Sequence, residues 1–490
     1  MSERLSISLA DYAATGNGFG VGTQGAVEDL NKALQAGQIT GRDTTDRFDA
    51  SGSPLKVESL EKTLKHLTFR ESDITFWKDI PKKPAYNTVV EYNQQSSYGR
   101  DHGAFNLEGE LPEEADSVYT RRAQFVKYLG TTRSVTHQMT LVNSVVSNII
   151  QQTIKDGTLW ILRHLDEALF FGNSKTSNNI EFDGFLTQHQ YSDVWLDRAD
   201  YFNSEHVIDM KGQALTEEAI ERAANTIVEN YALATTLYAP PSVLSGFVKQ
   251  FYGNKFIMPN TAGLSNGIMG QRVQKFESQF GPIDLKQDVF FKKRAGKNAA
   301  SEATSDKAPN VPTVTATAVA AGAANSKWTA NDAGNVKYAV SAINRYGESK
   351  LTIVADAVAV VATGAVDLAI TDGGGTHKAT AYRIYRTVRG RDDMFFPILD
   401  VSLEDVKRGL NGGAVNNVRD LNEIMPDTDQ AMVLQFDNEV IEFAQLAPLM
   451  KMDLAMLAPA YRFMILLYGT PLLYAPKKLV RIINIGRFVS

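Results

Sequence analysis

Gly20, Gly22 and Gly25 in the stretch GVGTQG have the spacing of a dinucleotide-binding turn, whose backbone approaches a pyrophosphate. Asp43 follows at about the distance where such a turn places its ribose partner. That chemistry also needs a buried strand leading into the turn. The preceding SISLADYAATGN offers only a brief apolar alternation before polar residues take over, so a glycine-rich arm is the better reading. The histidines number 7, and none forms an HExxH or HxH pair with metal-ligand spacing. His164, Asp166 and Glu167 lie close together in RHLDEALFF, but Asp166 is off the helical face of His164, and a structural role is expected. There is no GxSxG nucleophile elbow and no GxxxxGK[ST] phosphate loop. DGGGTH at 372 to 377 reads as a strand-to-strand turn. With 0 cysteines, disulfides, thiolate metal sites and cysteine nucleophiles are excluded, which suits a reducing cytoplasm. The expectation is no enzyme, no cofactor and no metal.

The elements around these residues are those of a large globular chain. Its 490 residues suggest about three units, and a hydrophobic share of 43% against 22% charged provides for large cores. Lys and Arg total 50 against 56 Asp and Glu, a formal charge of −6, which gives no general reason to bind nucleic acid. The N-terminal stretch lacks a basic region followed by an apolar run, and no stretch of about 18 apolar residues occurs. Neither export nor a membrane span is expected.

Residues 1 to 53 read as an arm containing a short helix with Val27, Leu30 and Leu34 on one face. A helix follows with Val57, Leu60, Leu64 and Leu67, and Pro81 and Pro84 mark a switch to strand. Strand-like NTVVEY and VYTRRAQFVKYLGTTRSV flank the polar residues 93 to 117. They predict an extended lobe with Glu108, Glu110, Glu113, Glu114 and Asp116 at its tip. From Met139 to Phe171 the apolar residues Val142, Val145, Val146, Ile149, Ile150, Leu159, Leu162, Leu165 and Leu169 predict one helix, roughly 50 Å long. ALTEEAIERAANTIVENY predicts another, capped by Thr216. RAGKNAASEATSDKAPNVP, at 294 to 312, looks like a linker, and beyond it VTATAV, VKYAVSAI, SKLTIVA, VDLAI and TAYRIYRTV predict a small β-sandwich closing near 400. The last part, from QLAPLMKMDLAM to RIINIG, is strongly apolar and ends in a strand.

This order of elements resembles the major capsid proteins of tailed bacteriophages, the Johnson fold. FWKDIPKKPAYNTVVEYNQ, FDGF at 182 to 185, ALTEEAIERAANTI and LLYAPKKLVRIINIGRF resemble the corresponding segments in large contractile-tailed phages. The resemblance implies an α+β fold with an N-arm at 1 to 53, a peripheral-domain start at 54 to 137 with the extended loop at about 86 to 135, and a spine helix at 138 to 172. It further implies an axial domain at 173 to 306 that returns at 401 to 473, and a peripheral-domain strand at 474 to 490. YAVSAINRYGES and YRIYR resemble strands of fibronectin type III and immunoglobulin-like modules, implying such an insert at 307 to 400, displayed outside the shell.

The partners implied are copies of the same chain in hexamers and pentamers, other head proteins such as a portal and decoration proteins, and packaged DNA through non-specific contacts on the inner surface. Localisation in the virion head is implied, after synthesis in the bacterial cytoplasm. A long lobe and a long helix need partners for their apolar faces. Glu108, Glu110, Glu113, Glu114, Arg121 and Arg122 are therefore the candidate contacts between subunits. Arg121, Arg122, Lys127 and Arg133, with KKR at 292 to 294 and PKK at 476 to 478, are the local basic clusters. The alternative function is a carbohydrate-binding or adhesive protein, with Trp328, Tyr346 and Tyr385 of the sandwich stacking on sugars.

Overall fold

Ile441–Asp453 and Ala460–Leu473 are long strands that pair antiparallel at the centre of a four-stranded sheet. Lys127–Thr136 adds antiparallel on one side and Lys82–Pro84 parallel on the other. The computed structural model describes residues 68–100, 105–111, 114–141, 148–250, 273–291, 295–455 and 458–486. The N-terminal arm with GVGTQG, the helix expected from Val57, Glu113, and the basic KKR at 292 to 294 lie outside these residues.

The long helix packs on this sheet. It runs over Ile149–Phe171, about 35 Å at 1.5 Å per residue, and is shorter than the span expected from Met139. Asn148 is extended, with φ −144° and ψ 98°, and its side chain accepts the Gln151 N–H at 3.1 Å. That is an N-cap, so the helix begins there, and His137–Leu141 forms a separate short helix. Val142, Val145 and Val146 lie outside the described residues. Ile161 packs with Phe463 and Ile465 of the sheet. Gly157 marks the closest crossing, where a Cβ would stand 2.7 Å from Ile465 Cδ1. Next to Ile161 on the helix, Leu162, Leu165, Leu169 and Phe170 join a larger core with Phe76, Phe185, Phe291 and Phe443.

A second, mixed sheet of six strands has the order Val207–Asp209, Leu479–Ile485, Asp429–Leu434, Thr236–Ala239, Gly281–Gln287, Lys275–Ser278. Glu217–Glu229 packs on it through Ile220, Ala223, Ala224 and Ile227, and Thr216 caps that helix by accepting the Ala219 N–H at 3.2 Å. The strand at 474 to 490 was expected in the peripheral domain, yet Leu479–Ile485 is buried along its whole length inside the six-stranded sheet. The hairpin Ile441–Leu473, expected in the axial return, instead pairs with Lys127–Thr136 beside the long helix. LVRIINI is apolar apart from Arg481 and Asn484, which bond to Gln430 and Asp209, and so suits a strand covered on both faces, whereas alternation suits a sheet covered on one.

Residues 313 to 420 are almost wholly β. Gly347–Glu348, Tyr338–Asn344, Ala381–Thr387 and Phe395–Ser402 form one sheet, with Thr352–Ile353 also pairing Tyr338–Asn344. Asn417–Asp420, Ala365–Thr371 and Thr313–Val319 form another. Val340 and Ile384 of the first sheet and Val366, Leu368 and Val418 of the second share one core. The end expected near 400 moves outward, because Asn417–Asp420 is an edge strand of the second sheet. The expected linker is also docked: Lys297 and Phe395 exchange backbone hydrogen bonds of 2.8 Å, and the Thr304 N–H bonds to the Glu348 carbonyl at 3.0 Å.

Candidate assembly surface

Val89–Ser97 and Val118–Phe125 form a two-stranded hairpin that joins no other sheet. Its root is held by the body. Tyr92 stacks edge-on to Tyr474 with ring centroids 4.9 Å apart and donates to the Leu473 carbonyl at 3.3 Å. Gln94 donates to the Tyr474 carbonyl, and Arg122 bonds to Asp193 and, at 3.2 Å, to Gln94. The Tyr92 hydroxyl is pushed above the usual tyrosine value by burial, against the pull of the Arg122 charge.

Beyond the root none of the described residues covers the end of the hairpin. Phe105 is 99% exposed, Leu111 91% and Tyr98 88%, and Leu107 and Tyr119 are exposed as well. Solvent-facing apolar side chains are ordinary one by one, but a cluster at the end of one arm marks an interaction surface. Glu108, Glu110 and Glu114 lie among them, exposed, with no ion pair among the described residues. The tip is therefore apolar with an acidic border, whereas its charges alone drew attention in the sequence. Phe105, Leu107 and Leu111 alternate with polar residues in AFNLEGEL, a signal of the right kind.

The candidate arginines are not at the tip. Arg121 reaches across the strands to Glu91 at 3.4 Å and Asn93 at 3.3 Å, and Arg122 faces the body at Asp193. Lys127 bonds to the Asn179 carbonyl and Arg133 packs beside Gly157, so little of the basic stripe is left for a phosphate backbone. Among the described residues no group of three His, Cys, Asp or Glu could hold a metal ion, and no helix is long and apolar enough to cross a membrane.

The aromatic residues proposed to stack on sugars are mostly internal. Trp328 and Tyr385 are buried. The Arg386 guanidinium lies 4.5 Å from the Trp328 ring centroid and binds Asp420 at 2.5 Å, and the Tyr385 hydroxyl bonds to Glu348. Only Tyr346 is exposed, and Arg345 and Lys307 already lie over its ring. The adhesive alternative loses two of its three residues.

A stiff root and an uncovered apolar tip are what a subunit needs to grip a copy of itself, and the chain matches, over residues 39–305, a family described as SU10 major capsid protein. The chain belongs to the SU10 major capsid protein family. The matched span ends before Thr313–Val319, the first strand of the all-β region. The capsid protein is 26% identical over 473 residues to the putative major capsid protein of Enterococcus phage phiEF24C, covering 94% of this chain and 97% of the relative. It is 27% identical over 467 residues to the major capsid protein of Staphylococcus phage S25-3, covering 94% and 96%. Among solved structures it is similar to the capsid of Myoviridae phage XM1, with 8% identity, a TM-score of 0.41, and coverage of 87% of this chain and 96% of that one. It is a structural, shell-forming protein of the phage head, and its fold is α+β.

Proposed function

We propose that the hairpin is the arm by which each capsid protein holds its neighbour around the hexamers and pentamers of the shell. The observation that carries this is the uncovered apolar tip at Tyr98, Phe105, Leu107 and Leu111. Fully burying one such side chain contributes about 1.5–3 kcal/mol, multiplied over every copy in a closed particle. Glu108, Glu110 and Glu114 border the contact, and Arg121 and Arg122 set the angle of the arm. In this reading the protein has no catalytic role, the all-β region is carried on the outer face, and DNA meets the inner surface without sequence preference. Portal and decoration proteins complete the head.

The test is assembly of the variants Phe105→Ser with Leu111→Ser and, separately, Glu113→Lys with Glu114→Lys. The first pair should leave the thermal midpoint of the unassembled chain unchanged and reduce shells, seen by sedimentation and electron microscopy, at least tenfold. The charge reversals should shift assembly in a salt-dependent way. Normal shells from both would end the proposal.

A further inference from the structure

The short helical turn Phe76–Asp79 leads into the hairpin, and its first backbone N–H groups have no preceding turn to bond to. Two carboxyl groups take them. Asp288 Oδ2 accepts the Phe76 N–H at 3.1 Å and the Thr75 hydroxyl at 2.6 Å, while its Oδ1 accepts the N–H groups of Phe290 at 2.7 Å and Phe291 at 3.3 Å. Four donors converge on this one group, so its acceptor sites are taken. Asp166, on the long helix, accepts only the Trp77 N–H, at 2.9 Å on Oδ1. It is completely buried, and its Oδ2 has no donor.

Asp288 and Asp166 accept the successive N–H groups of Phe76 and Trp77 in one turn, which brings the two carboxyl groups together. Two acceptors facing each other out of water repel, whereas a proton on one turns the repulsion into a hydrogen bond. Asp288 is already saturated with donors, so the proton belongs on Asp166. The other charged or titratable groups facing the site are Asp79 and Tyr238. Asp79 is held by the Tyr238 hydroxyl at 2.9 Å and by Lys286 at 2.8 Å. Burial, then the Asp288 charge and the hydrogen bond to it, push the Asp166 carboxyl up to about 9, and Asp79 acts in the same direction.

We propose that Asp166 is a buried neutral acid whose proton, directed to Asp288, latches the turn that leads into the hairpin to both the long helix and the six-stranded sheet, making the seating of the arm sensitive to proton loss. The turn, the long helix and the six-stranded sheet meet at this cluster, so ionising the fully buried Asp166 adds a second negative charge beside Asp288. The folded state holds a proton that the unfolded chain releases near pH 4. The latch is thus fully stabilising below about pH 4, weakens progressively as pH rises, and is lost past about pH 9.

The latch itself can be read on the full-length, unassembled chain, so its failure is separable from failure of the assembly proposal, on which only its consequence for the arm rests. The infrared spectrum should contain a protonated carboxyl band at pH 7 that disappears above about pH 9 and is missing from Asp166→Asn. Hydrogen exchange at Trp77, corrected for the intrinsic rate, should lose protection past that pH in the natural chain and keep it in the variant, whose amide can still donate to Asp288. Absence of the band from the natural chain at pH 7, or the same alkaline loss of protection in both proteins, would overturn the proposal. If Asp166→Asn does not fold, the spectrum of the natural chain decides alone.

Discussion

His189 is fully buried, and its Nδ1 stands 3.0 Å from the Tyr201 hydroxyl. Burial first, then the neighbouring His206 and Arg481, hold its ring well below the usual imidazole value. Below about pH 6.5 the unfolded chain therefore takes up a proton that the folded chain refuses, and stability falls with pH on the acid side. His189→Gln should lose less of its thermal midpoint between pH 7 and pH 5 than the natural chain does, whatever its midpoint at pH 7. Parallel curves would show that another group sets the acid limb. At this scale the sequence shows residue types but not surroundings. Glu108, Glu110 and Glu114 are as exposed as their chemistry suggests, but the alternation around Phe105 does not by itself separate its exposed ring from the buried Trp328, because exposure is decided by chain segments far away. Asp166 is buried against the Trp77 N–H, while its surroundings depend on Asp288, 122 positions further along the chain.

Among elements, the long helix ends where the chain folds back in closest contact with it. The Gly172 carbonyl accepts the Gly184 N–H at 2.9 Å, and Asp183 binds the Ser174 N–H at 2.7 Å and its hydroxyl at 3.1 Å. A Cβ on Gly184 would lie 2.6, 2.7 and 2.8 Å from the carbonyl oxygens of Ala168, Phe170 and Leu169. FDGF, visible in the sequence only as a point of resemblance, thus has a physical reason: Phe182 and Phe185 enter the core and glycine alone fits between them. Gly184→Ala should cost about 2–3 kcal/mol, measured by denaturant unfolding of the unassembled chain, and a cost below about 0.5 kcal/mol would show that the carbonyls can move aside. The elements themselves were legible where periodicity was long: the helices around Leu165 and Ile220 and the hairpin strands all appear. The start of the long helix was not, because the Asn148 cap lies inside an uninterrupted apolar pattern. Nor was Asn417–Asp420, a strand too short to show alternation, which contributes Val418 alone to the shared core.

For the whole molecule, the question is whether the all-β region is a part of the body or a passenger on it. The two body cores contain no residue between 296 and 421, and the core of the all-β region contains none outside 314 to 418. The chain leaves and returns at one place, since Phe291, Ile424 and Met425 border the same cavity of about 180 Å³. The return is fixed by the ion pair of Arg198 with Glu423, at 2.6 Å and largely buried, and by Asn484, which donates to the Glu423 carbonyl at 3.0 Å. Lys327 and Asn325 touch the body only at the Phe202 carbonyl and Asn203. Replacing residues 296 to 421 by a short glycine-serine linker should therefore leave a soluble chain whose shells are visible by electron microscopy. Cutting at the boundaries suggested by composition, 307 to 400, should not. That deletion strands Val401, Val406 and Val418 without their core and leaves the strap at Lys297 without its partner strand, so the product should aggregate. If instead the shorter deletion assembled and the longer one failed to fold, residues 401 to 421 and the strap would belong to the body, and the region would be a graft on the capsid protein's own framework.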